Sequence, residues 1–489
     1  MLLTLLVAVP AALGPLLRGS WDPWAQTLVA SVVAVGGSAW LALRVCLGYV
    51  PLPSARARAW LAGLAALAAL SAWRGPLSGE APFELPVLLV GLGVVAATAV
   101  LSKDERETVD QAVRAAAWVL MTLAVYQRWG LGAHRPESAL LNANTWAGAV
   151  LMLIPVAADR RDWLLVAGLG LCLWWTKSVG AWMAFFAALL LTARWRGEAK
   201  TWAALAGALV CLVAVYNKFQ SPEVLDRLAW WRAAAAMAAD RPWLGAGPGA
   251  YAAALPGYHE SGLTAVYAHQ WPLQTAAEYG LPFALLWFAG LWRLLFSARS
   301  YKRFGALAAL LHSLWDWPLS VPGNLWLFCY LAACSVPESG EGAGVRGRWR
   351  LPAAAAALWA GAWAASAVFA LWAADRARAQ AAFALGEGRL LEAQALAADA
   401  AARRPRDSES PLVYAHAALG RAAAGEDPAL HLTRAAEAFE ASLRLDPYRP
   451  RAWRELAAVY RRLGDEPRAV AALARGGQAC PVLRRRPGG

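Results

Sequence analysis

The chain has 489 residues, of which 59% are hydrophobic and 16% charged, well below the ~25% charged of a soluble domain. That balance excludes a wholly soluble globular protein. The net charge of +13 does not indicate nucleic acid either, because the basic residues lie largely in short loops and form no stripe interleaved with aromatics.

Apolar runs near 2–17, 25–48, 59–73, 84–101, 111–129, 139–157, 162–176, 179–194, 201–217, 272–296, 304–316, 321–336 and 352–373 predict thirteen spans. Several are shorter than the ~20 residues a crossing helix needs, so the expected count is about 12–13. The first run has no basic flank ahead of it and reads as a span rather than a cleaved signal. The 28 Trp fit interfacial anchoring. The six cysteines are scattered, with no metal-site spacing.

The short loops alternate in charge. One set holds Arg56 and Arg58; Lys103 and Arg106; Arg160 and Arg161; Arg194, Arg196 and Lys200; Arg299, Lys302 and Arg303; Arg346, Arg348 and Arg350. The other holds only Arg18, Arg74, Arg135 and Lys177. The positive-inside rule then places the N-terminus in the cytoplasm, and the large loop of about 218–271 and everything after residue 376 on the other side.

Taken in order, ESALLNANTWAGAVLMLIP (137–155) places Asn142 and Asn144 at the outer mouth of the sixth span. They read either as a helix cap or as amides facing a cavity. In WTKSVGAW (175–182), Lys177 opposes the positive-inside trend, which leaves snorkelling to headgroups or an anionic substrate. The stretch 226–280 is the longest non-spanning run before residue 337. It carries Arg227 and Arg232 on an amphipathic helix with Trp230 and Trp231, then Asp240, Arg241, His259, Glu260, His269, Gln274 and Glu278. Arginine suits phosphate because its planar fork stays charged and makes paired hydrogen bonds. His269, at the mouth of a span, has the chemistry of a general base. GAGPGAY (245–251) lacks a preceding strand and is a turn returning the chain to the membrane, not a dinucleotide loop. In LLHSLWDWPLSVPGN, His312 and Asp316 are four residues apart on one helical face, and an ionisable residue near a membrane is a functional candidate. Asp22 is a single acid and no outward DxD pair exists, which argues against a metal-bridged pyrophosphate site. No metal and no cofactor are expected.

After residue 376 the composition turns to Ala, Arg, Glu and Leu. Trp453, Leu456, Ala457, Tyr460, Ala469 and Pro481 follow the tetratricopeptide (TPR) spacing. Ala435, Phe439 and Pro447 repeat its second half, and Ala393 and Pro405 suggest a degenerate third unit. The expected architecture is all-α: a polytopic membrane domain over 1–373 and a TPR-like solenoid over 376–489. The solenoid docks protein or glycan, or only stabilises.

The motifs NANTWAG, TKSVGAW, DRLAWWRAA…RPWLGAGPGAY, AHQWPLQTAAEYG and LHSLWDWPLSVPGN, in this order over about 130–335, resemble the O-antigen ligase / polysaccharide polymerase superfamily of bacterial membrane proteins. The resemblance implies a GT-C-like, metal-independent, inverting glycosyltransferase of the inner membrane. Its donor would be a glycan on undecaprenyl diphosphate, and its acceptor a hydroxyl of a glycan, lipid A core or protein at the periplasmic face. By position, Arg227 matches the family's diphosphate-engaging arginine and His269 its acceptor-activating histidine. The family often has Arg directly after the Ser of TKSVGAW; here that position is Val179. The competing readings are a transporter, which lacks the repeated broken helices of inverted-repeat carriers, and a non-catalytic scaffold working through its TPR helices.

Overall fold

The structure is a computed structural model. It describes residues 1–192, 201, 205, 207–209, 212, 216, 222–259, 264–296, 301–334 and 341–484. Glu260, Arg194, Arg196, Lys200 and Arg299 lie outside the described residues, as does most of the span predicted over 201–217. The fold is all-α. Among the described residues its only sheet is a short antiparallel ribbon that pairs Tyr49–Leu52 with Glu341–Gly344.

Helices occupy the other predicted spans: Leu2–Leu16, Pro23–Cys46, Ala55–Arg74, Glu84–Val100, Lys103–Trp129, Ala143–Asp159, Trp163–Thr176, Val179–Thr192, Leu281–Phe296, Tyr301–His312, Pro322–Cys334 and Gly347–Gly386. Two of them, Pro23–Cys46 and Gly347–Gly386, are individually long and apolar enough to cross a bilayer. Local chemistry sets the helix starts. Pro23 occupies a first turn, where its missing N–H costs nothing. Ser102 with Glu105, and Asn142 with Thr145, form reciprocal caps that satisfy otherwise orphaned N–H groups.

Two details differ from the hydropathy reading. The span predicted over 272–296 is two helices, Trp271–Tyr279 and Leu281–Phe296, broken at Gly280. The last span runs on, so the boundary near residue 376 falls inside one 40-residue helix. At 1.5 Å per residue that helix is about 60 Å long, about twice the hydrocarbon thickness. Its first half lies along Pro23–Cys46, an approach that Gly361 permits, since a side chain there would strike Ser38. Its second half supports five helices that pack each on its predecessor: Leu390–Arg403, Glu409–Ala423, Pro428–Leu445, Pro450–Arg462 and Glu466–Ala479.

The bundle wears apolar residues outside. Trp73, Trp129, Trp174 and Trp243 are exposed at the end that carries residues 222–280, and Trp163, Trp292 and Trp349 at the opposite end. Two Trp-rich ends fit two membrane interfaces. At the second end, Asp110 is buried and accepts from Lys302 Nζ at 2.7 Å and from the Tyr330 hydroxyl at 2.6 Å, with Arg160 at 3.7 Å. The cluster ties three helices and a turn together.

The C-terminal helices sit on the first end. Arg404 donates to the Gly79 carbonyl at 2.5 Å, Arg406 to the Trp73 carbonyl at 3.0 Å, and Arg449 pairs with Glu80 at 3.0 Å.

Candidate functional site

The Pro222–Asp240 helix lies across this same end, against Trp271–Tyr279. The GAGPG stretch does not simply lead back to the membrane. It is clamped onto the end of the Trp271–Tyr279 helix: Ala246 N–H donates to the Ala277 carbonyl at 2.8 Å, and Gly247 N–H to the Glu278 carbonyl at 3.0 Å. Gly245 (φ +67) presses on the Glu278 backbone with no room for a side chain. The Ser71 hydroxyl locks the turn from below by donating to Leu244 O at 2.7 Å.

This clamp fixes Arg227 and His269 beside the turn that follows Tyr301–His312. Arg227 Nη1 donates to the Trp315 carbonyl at 2.7 Å, and its Nη2 lies 3.6 Å from Asp316 Oδ2. His269 Nδ1 lies 3.3 Å from the other carboxylate oxygen, Asp316 Oδ1. One buried carboxylate thus holds both the loop arginine and the loop histidine. Burial opposes ionisation of Asp316. The His269 hydrogen bond and the neighbouring His312, Arg227 and His269 outweigh it and hold the carboxyl at about 2.

His269 is a non-glycine residue in the left-handed region (φ +55), a strained conformation of the kind that clusters at functional sites. Three contacts hold it there. The Trp230 ring stacks on the imidazole at 5.1 Å, the Trp317 ring meets its edge at 6.3 Å, and the preceding Ala268 N–H donates to Gln274 Oε1 at 3.1 Å.

The other candidates divide by place. Gln274 and Glu278 are buried braces: Gln274 Nε2 donates to Glu278 Oε1 at 3.1 Å, which also accepts from Tyr251 N–H at 3.4 Å. His312 and Asp316 do not share a helical face. The helix ends at His312, whose Nε2 lies 3.5 Å from the Ser178 hydroxyl, while Asp316 sits in the turn beyond and faces Arg227. Asn142 is a cap, accepting from Asn144 and Thr145 N–H groups at 2.9 Å. Arg232 is exposed, with no ion pair among the described residues. Lys177, in the left-handed region, donates to His134 Nε2 at 2.5 Å.

Sequence reasoning missed Arg135. It donates to the Thr176 carbonyl at 2.8 Å and to Asn144 Oδ1 at 3.0 Å, so a guanidinium stands beside Lys177. The available signal was its position in a loop set that is otherwise poor in basic residues. The stacking of Trp230 on His269 had no sequence signal, because it depends on how two distant segments meet.

Residues 164–288, which contain Lys177, Arg227, Arg232 and His269, match the family model described as O-antigen ligase. The match covers about a quarter of the chain and supports the O-antigen ligase superfamily. No curated protein matches the chain significantly. An O-antigen ligase-type chain is membrane-embedded and acts on lipid-linked glycans and acceptors, which agrees with the apolar exterior. Asp316 and Arg135 lie outside the matched residues, so the carboxylate that joins Arg227 to His269 is supplied by the flanking chain.

Proposed function

We propose that this chain is an inner-membrane glycosyltransferase of the ligase or polymerase type. It moves a glycan from undecaprenyl diphosphate to an acceptor hydroxyl at the periplasmic face, where the Pro222–Asp240 helix and the TPR-like helices lie, with the N-terminus cytoplasmic. The observation that carries this reading is the pairing of Arg227 and His269 on Asp316.

Lipid diphosphate is already a leaving group. The protein has to hold it, stabilise the charge that develops and take a proton from the incoming hydroxyl. Arg227 is fixed by the Trp315 carbonyl and Asp316 with guanidinium N–H groups left over for phosphate oxygens. Trp230 and Trp231 each bury an indole Nε1 without an acceptor among the described residues, two further donors on the same helix. Arg135 beside Lys177 supplies a second cationic cluster and takes the place of the arginine missing at Val179. Arg232, exposed one turn along, adds charge at the rim.

Asp316 Oδ1 lies 3.3 Å from His269 Nδ1; with the imidazole proton on Nδ1, facing that carboxylate, Nε2 keeps its lone pair for the acceptor hydroxyl. The hydroxyl oxygen attacks the anomeric carbon opposite the diphosphate, its proton passes to Nε2, and the sugar–phosphate bond breaks with inversion. The step calls on no metal or cofactor.

The test is lipid-linked glycan measured in cells carrying wild type, His269→Ala or Arg227→Ala at equal expression. Accumulated undecaprenyl-diphosphate glycan with loss of the mature glycan is the expected outcome. Wild-type behaviour of both variants would sink the assignment.

A further inference from the structure

A cavity of about 900 Å³ lies between the C-terminal helices and the end of the bundle that carries His269. Its bundle wall includes Trp21, Glu80 and Tyr267; its opposite wall includes Glu409, Tyr448 and Arg449. Interfaces between structural units are where pockets of this size concentrate.

The lining is largely apolar, and the polar groups set into it are fixed. Arg449 is held by Glu80 at 3.0 Å, Glu409 at 2.6 Å and Asp446 at 2.8 Å, so its planar groups are set before any ligand arrives. Such groups match vicinal hydroxyls, and the rings of Trp21 and Tyr448 give apolar faces of the kind a sugar ring packs on. Five carboxylates face three guanidinium groups in the lining, which disfavours a polyanionic chain.

The cavity also has a direction. Trp21 contacts Tyr267 at 5.9 Å and Trp317 at 6.2 Å, and Trp317 meets the edge of His269 at 6.3 Å. Aromatic surface thus runs from the cavity to the imidazole proposed to deprotonate the acceptor, and the Lys177–Arg135 cluster contributes nothing to the lining. We infer that the cleft between the C-terminal helices and the membrane bundle binds an uncharged acceptor oligosaccharide and delivers its terminal hydroxyl to His269. This rests on the transferase reading above.

The experiment places p-benzoylphenylalanine at exposed Ala252, which lines the cleft, or at Ala438, on a separate groove of the C-terminal helices. The full chain is cross-linked in cells, purified and probed for carbohydrate by periodate oxidation and by mass. A saccharide adduct at 252 and none at 438, free of lipid diphosphate and reduced about fivefold by Glu409→Gln, is the expected result. An adduct at 252 that contains only protein, or that carries lipid diphosphate, overturns the proposal. The same cells carrying His269→Ala separate the two readings. If they accumulate lipid-linked glycan while residue 252 captures no sugar, only the cleft assignment falls; if they make normal mature glycan, the catalytic reading falls instead.

Discussion

Arg449 and Glu80, 369 positions apart, meet at 3.0 Å and join the C-terminal helices to the turn that precedes Glu84–Val100. Glu80 is mostly buried, and burial pushes its carboxyl above the usual range while Arg449 pulls it back. Arg449→Met leaves that carboxylate buried and unpaired, a loss of about 3–5 kcal/mol for such pairs. Docking of the C-terminal helices weakens accordingly, and hydrogen exchange rises over residues 72–84. The sign with pH follows from the raised carboxyl: protonation favours the docked state, so the variant docks better at pH 5 than at pH 7. Equal exchange at both values would show that Glu80 does not drive the effect.

Asp316 behaves in the opposite sense. Its carboxyl is held at about 2, below the ordinary 3.8, so its contribution is complete above the unfolded value and is lost as pH falls through about 2. The depression corresponds to about 2 kcal/mol. The carboxylate therefore stays ionised across the neutral range. Asp316→Asn keeps the shape of the turn but offers His269 a donor or a neutral acceptor in place of a carboxylate. Transfer should fall about 10²–10⁴-fold, the usual range for general acid–base groups, with expression retained. Near-normal transfer in a radiolabelled-donor assay would remove Asp316 from the site.

The clamp over residues 245–247 gives a test that touches no reacting group. Gly245→Ala forces a side chain into the left-handed region, at about 1–2 kcal/mol, and drives it into the Glu278 backbone. Gly388 has a similar φ of +74 but open space around it, so Gly388→Ala should cost only the conformational part. Gly245→Ala should lose most transfer activity while Gly388→Ala keeps it. Equal activities would mean that the clamp does not position the site.

The bundle was legible because its signal is one-dimensional: apolar length and loop charge are properties of consecutive residues. Arg227, His269 and Asp316 were each visible as polar residues in apolar surroundings. Their meeting was not, since it depends on His269 adopting a left-handed turn and on the Tyr301–His312 helix stopping before Asp316. Periodicity continued through Ser313 and put His312 and Asp316 on one face, whereas the chain turns there and Trp271 N–H caps the Ser313 carbonyl at 2.8 Å. The Gly280 break was hidden for the same reason: hydropathy runs unbroken from 272 to 296, and only the backbone (φ +87, ψ 164) interrupts the helix. Arg135 reaches the Thr176 carbonyl from a loop 41 residues away, a meeting that no linear motif reports.

Trp230 offers the sharpest distinction between holding and reacting. Its ring lies nearly parallel to the His269 imidazole, 5.1 Å away and 21° off plane, and its carbonyl accepts from the Tyr251 hydroxyl at 3.3 Å. An aromatic stack contributes about 0.5–1.5 kcal/mol beyond its buried area, enough to change the orientation of a strained residue by a factor of about 2–10 in population. Trp230→Ala should therefore lower the rate of transfer by about two- to tenfold through loss of the stack, while Trp230→Phe, which keeps a ring but loses the indole N–H, should restore the share that stacking supplies. Rescue by Phe identifies positioning of the imidazole as the contribution. Failure of Phe to rescue, with the donor KM raised, would transfer the role to the indole N–H and place Trp230 beside Arg227 on the phosphate.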